Sequence, residues 1–170
     1  MARLTETGPL GDAVTPYRAV SEFERRHGFP PGTNQVWSAD RDDQAAARAL
    51  AELDLASADL VTFYDSIGAV ARADVGNGYF VDPVRDVLLR LKEYGAVGVG
   101  ADQEARGLVI GWNGGGLCYV TGSSGVVYRT LTASLDEPEL DRVADDLRQS
   151  LELLEQSLSR FVANDVPGYL

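Results

Sequence analysis

Apolar residues recur at a spacing of two through the second half of the chain, at Tyr79, Val81, Val97, Val99, Leu108, Ile110, Leu117, Tyr119, Val126 and Tyr128. That period sends side chains to one face of a sheet and predicts strands over 78–82, 96–101, 107–112, 117–121 and 125–131. Asn113-Gly114-Gly115-Gly116 and Gly122-Ser123-Ser124-Gly125 separate these runs with residues that tolerate positive φ, as tight connections between twisted strands require. The pattern is that of an antiparallel meander.

Elsewhere the apolar spacing changes to three and four. Thr15-Pro16 opens a helix over about 16–27, striped by Tyr17, Val20 and Phe23 and closed by Gly28 and Pro30-Pro31. A polar loop holding Trp37 leads to a second helix over about 43–53. Ser57 caps a third, in which Leu60, Phe63, Tyr64 and Ile67 form the buried stripe and Gly68 the exit. Asp82-Pro83 caps a fourth that ends at Gly95, with Val84, Val87, Leu88 and Leu91 inward. Leu140, Val143, Leu147, Leu151, Leu154 and Leu158 predict a long final helix over about 137–161. The expected fold class is α+β: an antiparallel meander sheet flanked by helices, with an N-terminal helical extension (1–54), a sheet domain (55–162) and a short C-terminal tail (163–170) in one globular unit.

The chain has 170 residues, enough for one core that needs neither disulfides nor metals to hold it. Its single cysteine, Cys118, falls in an apolar strand and is read as a small buried hydrophobe. The N-terminus lacks a basic region followed by an apolar run, and no stretch reaches the roughly 20 apolar residues that span a bilayer, so a cytoplasmic protein without membrane contact is expected. Net charge is −11, which disfavours direct nucleic-acid binding and favours basic partners. The acids concentrate outside the meander, with 8 against 3 basic residues over 36–75 and 9 against 3 over 130–170.

No catalytic constellation emerges. The only histidine, His27, sits at a helix C-terminus, where a ring can meet the last carbonyls. Ser123 and Ser124 belong to a strand-to-strand turn, whereas a hydrolase nucleophile of the Gly-x-Ser-x-Gly type lies between strand and helix. Asp40, Asp42 and Asp43 lack the glycine and distal acid of a calcium loop, and an acidic helix start accounts for them. No phosphate-binding glycine loop precedes a helix. No catalytic residue, metal or cofactor is therefore expected. Binding residues concentrate in loops carried on a rigid sheet, which makes Trp37, Asp40, Asp42, Asp43, Asp74, Asn77 and Asp102 the candidate partner surface. Trp112 is assigned to the core.

The order of elements resembles the SUKH superfamily. The likeness rests on a helix of the type ASADLVTFYDSIGAV, a strand with GNGYFVDP, a helix, then VGVGADQEARGLVIGW, a glycine turn, GVVYRTL and a leucine-rich closing helix, over about residues 55–158. Gly100-Ala101-Asp102 and Gly107 match the family's glycine and acidic turn in outline; the first 50 residues have no counterpart. The resemblance implies a non-enzymatic binding domain similar to intracellular immunity proteins that neutralise a toxin, often a nuclease. It also leaves room for a regulatory or assembly adaptor without a toxin. A small carboxylate-dependent hydrolase is the remaining, more distant, reading.

Overall fold

The computed structural model describes residues 32–99 and 105–164, together with 24, 25, 28 and 30. The chain divides into two compact units, Met1–Gly32 and Thr33–Leu170. In the first, Glu24 and Arg25 are helical, and the Gly28 N–H closes a turn on the Glu24 carbonyl at 2.8 Å with φ 79°. This is the helix exit expected there; the rest of the helix over 16–27, His27 included, lies outside the described residues.

The second unit carries eight strands, β1 (Asn34–Ser38), β2 (Ile67–Arg72), β3 (Tyr79–Val81), β4 (Val97–Val99), β5 (Ala105–Asn113), β6 (Cys118–Gly122), β7 (Val127–Thr130) and β8 (Leu140–Ala144). Its helices are α1 (Arg41–Ala51), α2 (Ala58–Ser66), α3 (Val84–Tyr94) and α4 (Leu147–Asn164). One antiparallel sheet runs in the order β1-β2-β3-β5-β6-β7-β8, with β4 also paired to β5. The five expected strands are present as β3 to β7, although Gly100 and Ala101 of the second lie outside the described residues. β6 occupies one edge of β5, so β3 and β4 share the other, β3 against Gly111–Asn113 and β4 against Ala105–Gly107. The two act as halves of one strand interrupted by α3.

Three strands depart from expectation. β1 lies in the segment read as a polar loop; its five residues are all exposed, so no alternation of apolar and polar positions marks it. β2 begins at Ile67, which the apolar stripe places in the preceding helix. That helix leaves off at Ser66 because Ile67 turns to an extended φ of −117° and pairs with Ser38. β8 takes Leu140 and Val143 from the N-terminal part of the expected final helix. A three-residue spacing fits a helix, but Leu140 pairs with Thr130 and Ala144 with Val127. The helix starts instead at Leu147, where the Asp146 carboxylate accepts from the Gln149 N–H. Residues 33–54, expected in a helical extension, carry β1 and α1 and belong to the sheet unit.

The helices all cover one face. Ala47 and Leu50 of α1, Leu60 and Tyr64 of α2, Val84 and Val87 of α3, and Leu147 and Leu154 of α4 meet Val70, Tyr79, Val81, Leu108, Ile110, Tyr119 and Val127 of the sheet in one cluster. Leu151 packs against its margin. The opposite face has a smaller cluster of Val97, Val99, Val109 and Val120, with Cys118, Tyr128, Leu135 and Leu140 at its edge, to which none of the four helices α1 to α4 contributes a described residue. Cys118 is thus only partly buried, and that burial pushes its thiol pKa up.

Candidate functional site

Strand parity places Phe80 and Asp82 opposite Tyr79 and Val81, on the face that the helices leave open. Phe80 pairs with Trp112 and Trp112 with Cys118, so these three share that face. The Phe80 and Trp112 rings stack with centroids 4.3 Å apart and planes 20° from parallel. On the far side of β2, Val36 aligns with the core residue Val70; its neighbour Trp37, opposite Ala69, therefore faces the same way as Phe80. Trp37 and Trp112 are each 39% exposed, leaving broad aromatic surface facing solvent on a sheet.

A polar clamp fixes the Trp112 ring. Its indole N–H donates to Asp82 Oδ1 at 3.0 Å, while Asp82 Oδ2 is ion-paired to Arg90 Nη2 at 2.8 Å. Arg90 lies on α3, and its Nη1 donates to the Val109 carbonyl at 3.2 Å. The Asp82 N–H donates to the adjacent Ile110 carbonyl at 2.9 Å. These donors fall where β3 has ended and β4 has not begun, beside the irregularity in β5 between Val109 and Gly111. A guanidinium thus supplies to the edge of β5 a hydrogen bond that a continuous strand would have made. The sequence places Asp82 as the cap of α3, but that helix has Pro83 at its N-cap and no side-chain cap bond. Replacing Asp82 with alanine strips partners from both Arg90 and Trp112, and is expected to cost about 2–4 kcal/mol in a urea titration, because it leaves a half-buried charge unpaired. A loss below about 0.5 kcal/mol would show that the clamp is not holding the sheet.

The residues singled out from the sequence do not converge. Asp40 and Asp43 form a capping box for α1: Asp40 Oδ1 accepts from the Asp42 and Asp43 N–H groups at 2.8 Å, and Asp43 Oδ2 from the Asp40 N–H at 3.1 Å. The Asp43 N–H bond above all holds the Asp40 carboxyl below its usual pKa. Arg85 pairs with Asp43 at 3.2 Å, and a Cβ at Gly68 would come within 2.9 Å of that buried carboxylate. Asp42 is exposed. Asp74 and Asn77 sit toward the other end of β1, Asp74 accepting from the Asn34 side chain and the Asn77 carbonyl pressed against Gly114. Asp102 lies outside the described residues.

Trp37 is a strand residue rather than a loop residue, and Trp112 belongs to the open face rather than to the core. Phe80, Asp82 and Arg90 carry the site without standing out in the sequence. Phe80 and Asp82 are the alternate positions of the very run that reveals β3, and Arg90 interrupts the inward stripe between Val87 and Leu91. Ser123 and Ser124 stand in a tight turn closed by the Gly125 N–H on the Gly122 carbonyl at 3.0 Å. Among the described residues, no three or more His, Cys, Asp or Glu side chains are grouped to hold a metal ion, and no helix is long and apolar enough to cross a membrane. The chain matches no family model, no curated protein and no solved structure.

Proposed function

We propose that this chain is a non-enzymatic protein-binding domain whose contact surface is the open sheet face around Trp37, Phe80 and Trp112. The observation that carries the reading is the clamped Phe80–Trp112 stack, an aromatic pair held rigid at a solvent-facing surface where it serves no core. Rigid aromatics anchor interfaces because little side-chain entropy remains to be lost on binding. The net charge of −11 supports a basic partner, drawn in by long-range attraction. Together with the SUKH-like order of elements, this supports a cytoplasmic immunity protein that neutralises a basic toxin such as a nuclease; a regulatory or assembly adaptor is the alternative.

Co-expression with the product of the adjacent gene, followed by surface plasmon resonance on the purified pair, tests this. Trp112→Ala and Trp37→Ala are each expected to speed dissociation at least about tenfold, while Asp42→Asn slows association at low salt and leaves dissociation alone. Toxicity of the partner that the chain relieves selects the immunity reading; a harmless partner selects the adaptor. Failure to recover any partner, together with turnover of a small molecule by the purified chain, would overturn both.

A further inference from the structure

On the other side of the Arg90 clamp the structure holds a cavity of about 530 Å3, within the range of roughly 300–1,000 Å3 that small-molecule sites occupy. Neither Trp37 nor Trp112 lines it. Val97, Val109 and Leu135 give it an apolar wall. Arg90 also lines it, but its guanidinium is already ion-paired to Asp82.

Among the described residues, the lining side chains without an ion pair carry charges of opposite sign. Arg106 lines the cavity, and its one hydrogen bond among the described residues is a long one of 3.4 Å from Nη1 to the Ala96 carbonyl. Asp136 and Glu137 line it from the segment after β7, and neither carboxylate has an ion pair among the described residues. Glu137 is held at φ 45°, the only described non-glycine residue in the left-handed region. A residue with a side chain thus occupies, in the cavity lining, a backbone conformation that favours glycine, and such strain gathers at functional sites. Tyr94, 79% exposed, adds an aromatic ring to the same lining.

A simple anion would meet Arg106 but be repelled by two carboxylates, and a simple cation would meet the carboxylates but be repelled by Arg106. A ligand carrying both charges satisfies both. We propose that this cavity binds a free α-amino acid with an apolar side chain. Its carboxylate would pair with Arg106, its ammonium with Asp136 and Glu137 beside the Tyr94 ring, and its side chain would rest on Val97, Val109 and Leu135.

Isothermal titration of the full chain with glycine, valine, leucine and phenylalanine, and with N-acetyl-leucine and leucinamide as probes lacking one charge each, tests the assignment. At least one apolar amino acid is expected to bind; for leucine, each blocked form should bind at least about tenfold more weakly, the loss of one charged pair. Arg106→Ala should erase the preference for leucine over leucinamide. Glu137→Gly separates binding from folding: it relieves the strained backbone and raises the melting temperature, yet should weaken leucine binding at least about tenfold and reduce the preference over N-acetyl-leucine. No heat with any of the four amino acids at millimolar concentration, or equal affinity for leucine and its two blocked forms, would overturn the proposal.

Discussion

Gly111→Ala is expected to destabilise the sheet unit by about 4 kcal/mol or more, at the upper end of single-substitution effects. A Cβ added there would lie 2.1 Å from the Phe80 carbonyl oxygen and 3.2 Å from Val81 Cα. Both are backbone atoms of β3, so no rotamer change relieves the clash and the strands must separate. Separation breaks the pairing of Tyr79 with Asn113 and Phe80 with Trp112, and with it the stack and the clamp at Asp82. Gly116→Ala is the control. Gly116 has φ 84°, but an added methyl group would meet only the Ala133 Cβ at an ordinary 3.5 Å, so its cost is conformational, about 1–2 kcal/mol. Urea denaturation of the two variants separates close approach from backbone conformation. Equal losses would show that β3 does not press on Gly111 as described.

The second large effect is alkaline. Tyr64, Tyr79 and Tyr119 are buried in the helix-covered core, the last two with ring centroids 4.8 Å apart. Burial pushes the Tyr79 hydroxyl up to about 12. It raises Tyr64 and Tyr119 further, aided by the Asp82 charge at Tyr64 and by Tyr79 at Tyr119. Each folded value lies above the unfolded value near 10, so the unfolded chain releases its protons first. Their contribution to stability is therefore complete below about pH 10 and is lost as pH rises toward and through the folded values. Each tyrosine contributes a slope of about 1.4 kcal/mol per pH unit, or about 4 kcal/mol for three, enough to remove most of the stability of an ordinary domain by about pH 12. Urea midpoints measured between pH 9 and pH 12, with phenolate absorbance followed alongside, would show the three tyrosines ionising only as the chain unfolds. Tyr79→Phe should flatten the slope by about one third. A flat profile, or full phenolate absorbance in a still-folded chain, would show that these hydroxyls reach solvent.

What the sequence discloses tracks the physics of amphipathic patterning. Strands β3 to β7 each expose one face to a core and the other to something different, so alternation marks them. The Ser57 cap and the Gly95 exit are local events that residue type alone dictates, and both stand where they are expected. β1 carries no such mark because it buries neither face; only its partner β2 makes it a strand. Leu140 and Val143 fit helical and extended spacing alike, and the choice falls to pairing with β7, a residue-distant contact that no local pattern encodes. The site is less legible for a related reason. Asp40, Asp42 and Asp43 read as a binding cluster because they are close in sequence, yet two of them are occupied in holding a helix end. The Asp82–Arg90–Trp112 clamp joins residues up to 30 positions apart, and Asp82 beside Pro83 looks like a cap. Hydrophobicity alone sends Trp112 inward, although its register with Phe80 turns it to the open face.

The near-sequential strand order has a consequence for how the chain reaches this structure. From β5 to β8, each strand is added beside the one completed just before it, so every pairing closes a short loop and none requires threading between strands already in place. That economy lapses twice: β2 must find β1 across α1 and α2, and β5 must find β3 across α3 while β4 claims the rest of the same edge. On loop closure alone, the β5–β8 half can therefore assemble ahead of these longer closures, with Arg90 bridging the seam once β3 lies on β5.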